Sequence, residues 1–432
     1  MEYELLPAQK EFLKVPHNKP RDIALYQGGY GSGKTFCGSL MGILLCLKYP
    51  GISGLVGAQT YTLLRDTTQK QYFEHLENMG FRAGFHYNYE SSKEILRFKN
   101  GSEVLFRHLQ EPNKLKSLNL GFVELEEMSD TPESTFKMLL SRLRQTIKPE
   151  WRKNGFKYRL FGHTNPEPNK GWIYKYFVEQ KPDNYRLILA PTTQNKFLEP
   201  DYVESLREAY DDEYYRINVL GEFGDYSSGL VVKGFTNDNV GDFHYVDTLD
   251  LHLTWDFNVD PMSCVLFHLV DGEMYYFDEF ILENATTQST IEEVIRKYPN
   301  HKGEIIINGD ASGDNRSTQS ECTNYVIIRN ALKKAYPDKK VKFHLRPYNP
   351  PIKNRIAAFN AMVCNARGDR RIFVDKKCKW VLYNIYNLKY KVGTDIVDVP
   401  TYTQIKTDNS LKFLEHPFDA ISYPAEYYFP IK

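Results

Sequence analysis

Several features that would indicate a membrane, secreted or zinc-bearing protein are missing from this 432-residue sequence. No apolar run approaches the length of a membrane span, and the first four residues, Met-Glu-Tyr-Glu, lack the basic segment of a secretory signal. The six cysteines are scattered without a C-x-x-C pair, which favours buried thiols in a reducing compartment. There is no internal repeat or low-complexity tract. These absences predict a cytoplasmic globular protein, and the length predicts two domains, with three allowed.

Net charge is absent as well, because 55 basic residues balance 55 acidic ones. Global charge therefore gives no indication of nucleic acid, but its distribution does. Between Lys333 and Lys391, sixteen Lys and Arg residues stand against three acids. A basic lobe of this kind is expected where a protein binds a polyanion such as DNA. We take Lys376, Lys377 and Lys379 as its DNA-binding candidates. The alternative is a solvated surface, since lysines are common on exposed turns.

A glycine-rich motif is the strongest positive signal. Residues 28 to 35 read GGYGSGKT and match G-x-x-x-x-G-K-[ST], between an apolar strand at residues 23–26 and a helix at residues 36–49. Such a loop turns backbone amides toward phosphate oxygens, while its lysine reaches the β/γ-phosphates and its hydroxyl holds Mg²⁺. The pattern predicts an ATP site, and the alternative is a glycine-rich turn with a surface lysine. The ATP-binding residues are then Gly28, Gly29, Tyr30, Gly31, Ser32, Gly33, Lys34 and Thr35.

Two adjacent acids follow another predicted strand. The apolar run at residues 121–125 leads directly into Glu126 and Glu127, and open α/β sheets bind their ligands at this end of the strands. We therefore assign Glu126 to the metal side of the ATP site and Glu127 to the catalytic base. An acidic loop is the alternative, because Asp130 and Glu133 follow closely.

Polar and cationic partners of an ATP site are less well determined. Thr164 and Asn165 end a strand in a polar turn that is suited to sensing the γ-phosphate, although a plain Asn-Pro turn explains them equally well. Transition-state charge also needs a cation. The candidates are Lys116, Arg142 and Arg144, each of which is equally suited to an exposed helix surface.

Alternating apolar runs and helical patterns predict an α/β domain with a parallel sheet at residues 1–225. Within this domain we expect a helix over residues 63–79 and a hairpin with a tight turn at Asn100-Gly101. Glycine, serine and polar residues then indicate a linker at 226–248. A second α/β unit follows at 249–432, in which a strand bearing an acid, a hairpin, a helix and a second acidic strand describe an RNase H-like sheet.

Carboxylates at apolar strand ends distinguish this second unit. Asp256, Asp310 and Asp419 would be unfavourable there unless paired or metal-bound. Three converging acids can hold two Mg²⁺ or Mn²⁺ ions roughly 3.5–4 Å apart, which clamp both oxygens of a phosphodiester displacement. Strand-end turns are the alternative for each acid. His416, close to Asp419 in the chain, is a metal ligand, a proton shuttle or a structural histidine.

The order of these motifs resembles the large terminase subunit of tailed bacteriophages over nearly the whole chain. The order is the phosphate loop, the acidic strand end, the Asn-Pro turn, Gly221-Glu222, two separate aspartates and His-x-x-Asp. The resemblance implies an ASCE-type ATPase domain that pumps double-stranded DNA into a procapsid, followed by an RNase H-like nuclease that cuts the concatemer. It also implies a portal protein, a small terminase subunit and a homo-oligomeric ring as partners, in the cytoplasm of a bacterial host with transient docking on the procapsid.

The resemblance also implies roles for individual residues. Residues 28–35 match Walker A, Glu126 and Glu127 match Walker B with its catalytic glutamate, and Thr164–Asn165 match the coupling motif. In the nuclease, Asp256, Asp310 and Asp419 match the metal ligands, and His416 matches a histidine of some members. Two departures concern the ATP site: Glu126 stands where an aspartate is usual, and Tyr30 stands where many members have a basic residue.

Two other functions are compatible with the motifs. One is an ATP-driven helicase or remodeller whose second domain only binds DNA, which predicts no metal-dependent cleavage. The other is an inactive assembly protein with a vestigial phosphate loop, which predicts no ATP turnover.

Overall fold

The structure is a computed structural model that describes residues 4–166, 171–223, 229–258, 260–315, 322–391 and 394–431. It contains two compact units, the first formed by Met1–Val203 with Arg216–Asp225 and the second by Glu204–Tyr215 with Tyr226–Lys432. This division differs from the predicted one at residues 204–215, because Ala366 N donates to Tyr210 O within the second unit. It also differs at the predicted linker, where Val231 and Val232 are buried in the core of the second unit.

The first unit is built on an eight-stranded sheet in the order β3-β4-β5-β2-β6-β7-β1-β8. Six of these strands, from β5 to β8 in that order, run parallel, whereas β3 and β4 form an antiparallel edge. The hairpin between β4 and β5 turns at Asn100-Gly101, as predicted, with Gly101 at a φ of 84°. The strands are β1 Arg21–Gly28, β2 Ser53–Ala58, β3 Tyr87–Glu90, β4 Ile95–Phe98, β5 Glu103–His108, β6 Phe122–Glu126, β7 Tyr158–Thr164 and β8 Tyr185–Ala190.

Helices lie before, between and after these strands. The predicted helix over residues 63–79 is interrupted, because a π-helical stretch at Arg65–Gln69 separates two α-helices. A second π-helical stretch is Lys175–Gln180, and short 3₁₀ turns are Pro112–Leu115, Met128–Asp130 and Thr192–Gln194. The α-helices are α1 Pro7–Leu13, α2 Lys34–Lys48, α3 Tyr61–Leu64, α4 Lys70–Asn78, α5 Glu133–Arg142, α6 Pro149–Lys153 and α7 Trp172–Tyr174. The next two helices, α8 Tyr202–Ala209 and α9 Asp212–Asn218, belong in part to the second unit.

Strand β1 shows why the first sheet is buried on both faces. Ile23 and Leu25 pack into one apolar cluster, and the alternating Ala24 and Tyr26 pack into the other. Side chains of a strand alternate between faces, so a continuous apolar run is what a strand covered on both sides requires. The sheet therefore holds the ends of β1, β6 and β7 firmly side by side.

The second unit is built on a seven-stranded mixed sheet in the order β14-β13-β10-β11-β12-β15-β9. The pairs β10·β11 and β11·β12 are antiparallel, and the pairs β10·β13, β13·β14, β12·β15 and β15·β9 are parallel. The strands are β9 Val240–Gly241, β10 Leu251–Asp256, β11 Met262–Val270, β12 Glu273–Leu282, β13 Ile305–Gly309, β14 Val341–Phe343 and β15 Ile372–Asp375.

Apolar clusters cover both faces of this second sheet. On β11, Val265 and Phe267 join the cluster that contains α12, α13 and α15, whereas Cys264 and Leu266 join the one that contains α10 and α11. Short 3₁₀ turns lie at Asn237–Asn239, Ala311–Asp314 and Asn409–Phe413. The helices are α10 Thr287–Lys297, α11 Asn324–Ala335, α12 Ile352–Val363, α13 Lys379–Asn387, α14 Tyr402–Thr407 and α15 His416–Tyr428. No helix among the described residues is long and apolar enough to cross a membrane.

Candidate functional sites

The glycine-rich loop connects the end of β1 to the start of α2. Gly33 stands immediately before the helix with a φ of 77°, a left-handed conformation that glycine adopts without steric strain. Gly29 lies so close to Val219 that an added Cβ would come within 2.5 Å of its carbonyl oxygen. Both positions therefore require glycine, and the loop leads directly into the positive N-terminal end of a 15-residue helix.

Lys34 contacts both strand ends that flank the loop. Its Nζ donates to the carbonyl oxygens of Gly28 and Gly29, each at 3.0 Å, and to Asn165 Oδ1 at 2.6 Å. Burial lowers the pKa of Lys34, although Glu127 and Glu126 favour its charged form. The structure therefore places a half-buried lysine between the phosphate loop and the predicted coupling motif.

Glu126 and Glu127 diverge at the end of β6. Glu126 is the last residue of the strand and is almost fully buried, and its Oε1 lies 3.5 Å from Thr35 Oγ1. Glu127 has a φ of 41°, which turns its side chain out of the strand direction. Its Oε2 accepts from Thr164 Oγ1 at 3.1 Å and from Asn165 N at 3.4 Å. The predicted metal-side acid therefore lies beside Thr35, and the predicted base lies beside the coupling residues.

The cation candidates lie together but away from these contacts. Arg142 Nη1 donates to the carbonyl oxygen of Lys116, and its guanidinium also bonds to Ser141 Oγ. Lys116 and Arg144 are exposed. Within the described ranges, no hydrogen bond or ion pair joins these three side chains to the phosphate loop or to Glu127, so each remains a prediction.

A buried histidine next to the coupling motif was missed by sequence reasoning. His163 is fully buried, with Nε2 at 3.3 Å from Glu124 Oε1 and Nδ1 at 3.6 Å from Glu126 Oε1. Burial alone favours the neutral ring, but the two carboxylates outweigh it and raise the pKa of His163. Burial also raises the pKa of Glu124. The sequence signal that could have identified His163 was its position directly before Thr164 of the predicted coupling motif.

In the second unit, the topology brings the three predicted acids to one edge. Asp256 ends β10, and Asp310 follows β13, the parallel neighbour in which Gly309 pairs with Trp255. Asp419 lies in the first turn of α15, which packs on β10 through a hydrogen bond of 2.5 Å from Thr254 Oγ1 to Ala420 O. Carboxylates from three elements therefore face the same end of the sheet.

Each of these acids is bonded to its own protein partner. Asp256 Oδ2 accepts from Asn258 Nδ2 at 3.0 Å and contacts His416 Nδ1 at 3.1 Å. Asp419 Oδ1 accepts from Arg355 Nη1 at 2.8 Å. Asp310 accepts from Ser312 N, Ser312 Oγ and Asn349 Nδ2 at 2.7, 2.6 and 2.6 Å. Within the described residues, no group of three or more His, Cys, Asp or Glu side chains is arranged to hold a metal ion.

The charges of this edge nevertheless influence one another. Burial raises the pKa of Asp419, with Asp256 adding to the effect and Arg355 opposing it. Burial and the neighbouring Asp419 raise the pKa of Glu415 to about 7. For His416, the bond to Asp256 and the nearby carboxylates outweigh burial and raise the pKa. Carboxylate oxygens are the donors that Mg²⁺ and Mn²⁺ prefer, so the chemistry of this set suits divalent metals.

Arg355 was also missed as an individual residue, because it is one of sixteen basic residues in its segment. Its side chain is 4% exposed and bonds to Ser422 Oγ at 2.6 Å as well as to Asp419. Its Nε is buried without a hydrogen-bond partner among the described residues. Arg355 therefore acts as the fixed counter-charge of Asp419.

The predicted DNA-binding lysines occupy the exposed turn between β15 and α13. Lys376 Nζ lies 2.9 Å from Asp242, and Lys377 Nζ lies 4.0 Å from Asp375. Lys379 begins α13, with Nζ at 5.0 Å from the centre of the Trp380 ring. All three side chains are exposed, but two already have acidic neighbours, so DNA binding there remains a prediction.

The first unit has a phosphate loop beside an acidic strand end, which is the arrangement of an ATPase. The second unit has a sheet with acids at one edge, which is the arrangement of an RNase H-like domain. Together they define a two-domain ATPase and RNase H-like protein. Comparison with known families agrees with this assignment for each of the two units. Residues 21–222 match the family model described as phage terminase large subunit, and residues 253–409 match the terminase RNaseH-like domain. The chain is a member of the phage large terminase family.

Individual relatives agree with this assignment. The PBSX phage terminase large subunit of Bacillus subtilis (strain 168) is 30% identical over 220 residues, which span 46% of this chain and 48% of the relative. The large terminase of a thermophilic bacteriophage has a similar fold, with a TM-score of 0.58, 15% identity and coverage of 98% and 99% of the two chains. The same phage protein in complex with ATP-gamma-S matches with a TM-score of 0.57, at 15% identity and the same coverage.

Proposed function

We propose that this chain is the motor and nuclease subunit of a viral DNA-packaging machine. ATP hydrolysis in the first unit drives double-stranded DNA into a procapsid, and the second unit cuts concatemeric DNA at initiation and termination. The observation that carries the proposal is the contact of Lys34 with Asn165, because it joins the phosphate loop to the strand end that also holds Glu127.

ATP binds with its phosphates over residues 28–35, where Lys34 supplies positive charge to the transferring phosphoryl group. Glu127 orients the attacking water and accepts its proton, and Thr164 and Asn165 hold Glu127 in place for that step. Thr35 and Glu126 would hold Mg²⁺, which neutralises charge that develops on the phosphate oxygens. Asn165 contacts both Lys34 and Glu127, so it is placed to register loss of the γ-phosphate.

Cleavage of DNA is assigned to the acids of the second unit. Asp256, Asp310 and Asp419 would hold two Mg²⁺ or Mn²⁺ ions, which supply an activated water and stabilise the leaving oxygen. Asn258 and His416 orient Asp256, and Arg355 orients Asp419. We keep His416 as a ligand or proton shuttle because it lies against Asp256.

The partners follow from this role. We expect double-stranded DNA, a portal protein, a small terminase subunit and further copies of this chain in a ring on the portal. The site of action is the cytoplasm of a bacterial host, with transient docking on the procapsid. The basic lobe around Lys376, Lys377 and Lys379 is the proposed DNA track. A helicase or remodeller with a DNA-binding second domain is not favoured, because residues 253–409 match a terminase RNaseH-like domain.

The proposal is tested by packaging with procapsids of the same virus, their portal and the small subunit. We expect ATP-dependent protection of added DNA from DNase, and no protection with Lys34→Ala. ATP turnover without protected DNA under these conditions would contradict the motor function. Plasmid degradation with Mn²⁺, measured beside phosphate release, separates the proposal from its helicase alternative.

A further inference from the structure

A cluster of buried polar side chains lies beneath the ATP site of the first unit. Glu124 and His163 are fully buried, as are Tyr72 and Thr68, and Glu126 is 3% exposed. Burying polar and charged groups is unfavourable unless each finds a partner. A cluster of this size directly under a reacting centre therefore needs an explanation in terms of what it holds.

Contacts in the cluster converge on two carboxylates of β6. His163 lies between them, at 3.3 Å from Glu124 and 3.6 Å from Glu126. Tyr72 OH donates to Glu124 Oε2 at 2.7 Å, and Thr68 Oγ1 donates to Glu126 Oε2. Glu126 thus accepts a hydroxyl on one side, and on the other side His163 Nδ1, which is buried without a hydrogen-bond partner among the described residues, lies within ion-pair distance.

Helix α2 is shaped to admit this cluster. A Cβ added at Gly38 would come within 2.6 Å of both Glu124 Oε1 and the His163 ring, and one added at Gly42 would come within 1.7 Å of Tyr72 OH. The same helix begins with Lys34 and Thr35. The two glycines therefore allow the helix of the phosphate loop to pack directly against the polar cluster.

The strand register connects His163 to the rest of the ATP site. His163 pairs with Glu126 across β6 and β7. The next two residues, Thr164 and Asn165, contact Glu127, and Asn165 also contacts Lys34. The end of β7 consequently contacts Glu126, Glu127 and the loop lysine.

We propose that His163 is a positioning residue for ATP hydrolysis, which fixes the Glu126 carboxylate beside Thr35 through its place between Glu124 and Glu126. Tyr72 supports it by holding Glu124. The inference rests on the proposed role of Glu126 at the metal side of the ATP site. In this role the fully buried histidine orients Glu126 and makes no contact of its own with nucleotide or attacking water.

His163→Gln is the direct test, since glutamine is polar and of similar length but lacks the second ring nitrogen that faces Glu126. We expect turnover of ATP to fall by about 10- to 100-fold, the range seen when residues that orient metal ligands are changed. The KM for ATP should stay within about threefold, because the loop still binds the phosphates. The affinity of the nucleotide-bound protein for Mn²⁺, read by electron paramagnetic resonance, should fall as well.

Matched variants separate positioning from folding. His252→Gln removes a buried histidine of the second unit, which is 3% exposed, and should leave ATP turnover unchanged. Tyr72→Phe removes one hydroxyl and should weaken Mn²⁺ binding less than His163→Gln but in the same direction. Thermal unfolding of each variant checks that the fold is kept, and Tyr72→Phe provides the test if His163→Gln does not fold.

The outcomes distinguish this inference from the role of Glu126. Normal turnover in Glu126→Gln would overturn the assignment of Glu126, and the inference with it. An inactive Glu126→Gln beside a His163→Gln with unchanged turnover and Mn²⁺ affinity would overturn only the inference. Equal losses in His163→Gln and His252→Gln would also overturn it, because the effect would then be general instability.

Discussion

The two candidate sites differ in how their acidic and basic side chains are connected. In the first unit, Lys34 lies among the predicted residues and connects the loop to Asn165, which in turn contacts Glu127. In the second unit, Asp256 and Asp419 have separate partners, His416 and Arg355. The ATP site is thus one connected network, and the acidic site is a set of carboxylates held individually.

This difference follows from the chemistry of the two ligands. ATP brings its own negative charge, so its site needs cations and amides already in place. A metal site needs the opposite, namely several carboxylates kept close despite their repulsion. Burial and the charge of Asp256 together raise the pKa of Asp419, which is the expected sign of that repulsion. Arg355 and His416 offset it within the protein.

The largest expected effect is on the connected network. Lys34→Ala should reduce ATP hydrolysis by a factor on the order of 100 or more, because the phosphoryl group then loses the cation that the loop supplies. Phosphate release is the measurement, and Lys48→Ala, at the exposed end of the same helix, is the control. Retained turnover in Lys34→Ala would show that the network does not carry the chemistry.

Removal of the proposed base should separate binding from chemistry. Glu127→Gln keeps the shape of the side chain but cannot accept a proton, so turnover should fall by about 10²- to 10⁴-fold while ATP still binds. Glu126→Asp should retain more turnover than Glu126→Gln, since it keeps the carboxylate on a side chain one methylene shorter. Nucleotide binding and single-turnover hydrolysis measure the two steps, and near-normal turnover in Glu127→Gln would assign the base elsewhere.

The acidic site should respond to each of its carboxylates. Asp256→Asn, Asp310→Asn and Asp419→Asn should each abolish Mn²⁺-dependent plasmid cleavage, because each removes charge from a shared two-metal site. Asp271→Asn, in the exposed turn between β11 and β12, is the matched control. Full cleavage by any one of the three variants would remove that residue from the ligand set.

The individual partners of the acids should contribute to stability. Arg355→Met leaves Asp419 without its counter-charge and should lower the free energy of unfolding by about 3 kcal/mol, at the low end for a buried pair because Asp419 is 19% exposed. Denaturant unfolding provides the value. Adding Asp419→Asn should recover part of the loss, and no recovery would indicate that Arg355 acts through packing instead.

The smallest effect concerns the exposed lysines. Neutralising Lys376, Lys377 and Lys379 together should weaken DNA binding modestly and reduce the slope of log affinity against log salt by up to about 0.9 for each phosphate that is no longer neutralised. Binding isotherms at several salt concentrations give the slope. An unchanged slope would mean that this turn is only a solvated surface, already partly neutralised by Asp242 and Asp375.

The elements that sequence predicted best are those with local signals. The strand, loop and helix around Gly28–Thr35, the hairpin turn at Asn100-Gly101 and the strand before Glu126 all follow from short patterns. The π-helical stretch at Arg65–Gln69 was not predictable, because it depends on packing rather than on periodicity. The burial of Val231 and Val232 was missed because polar and glycine-rich neighbours conceal two apolar residues.

The residues of the two candidate sites were also predictable only where the signal is local in the sequence. Acids at strand ends could be predicted, since the sheet gathers strand ends at one edge. His163 and Arg355 could not, because their partners Glu124 and Asp419 lie 39 and 64 residues away. Sequence patterns report neighbours along the chain, whereas these pairings arise only from the register of β6 with β7 and the packing of α12 on α15.

We expect the two sites of this chain to act independently of one another. The most direct test measures phosphate release and Mn²⁺-dependent plasmid cleavage on the same preparations of the wild-type protein, Lys34→Ala and Asp256→Asn. We expect a crossed result, in which Lys34→Ala loses only ATP hydrolysis and Asp256→Asn loses only cleavage. Loss of both activities in either folded variant would contradict it.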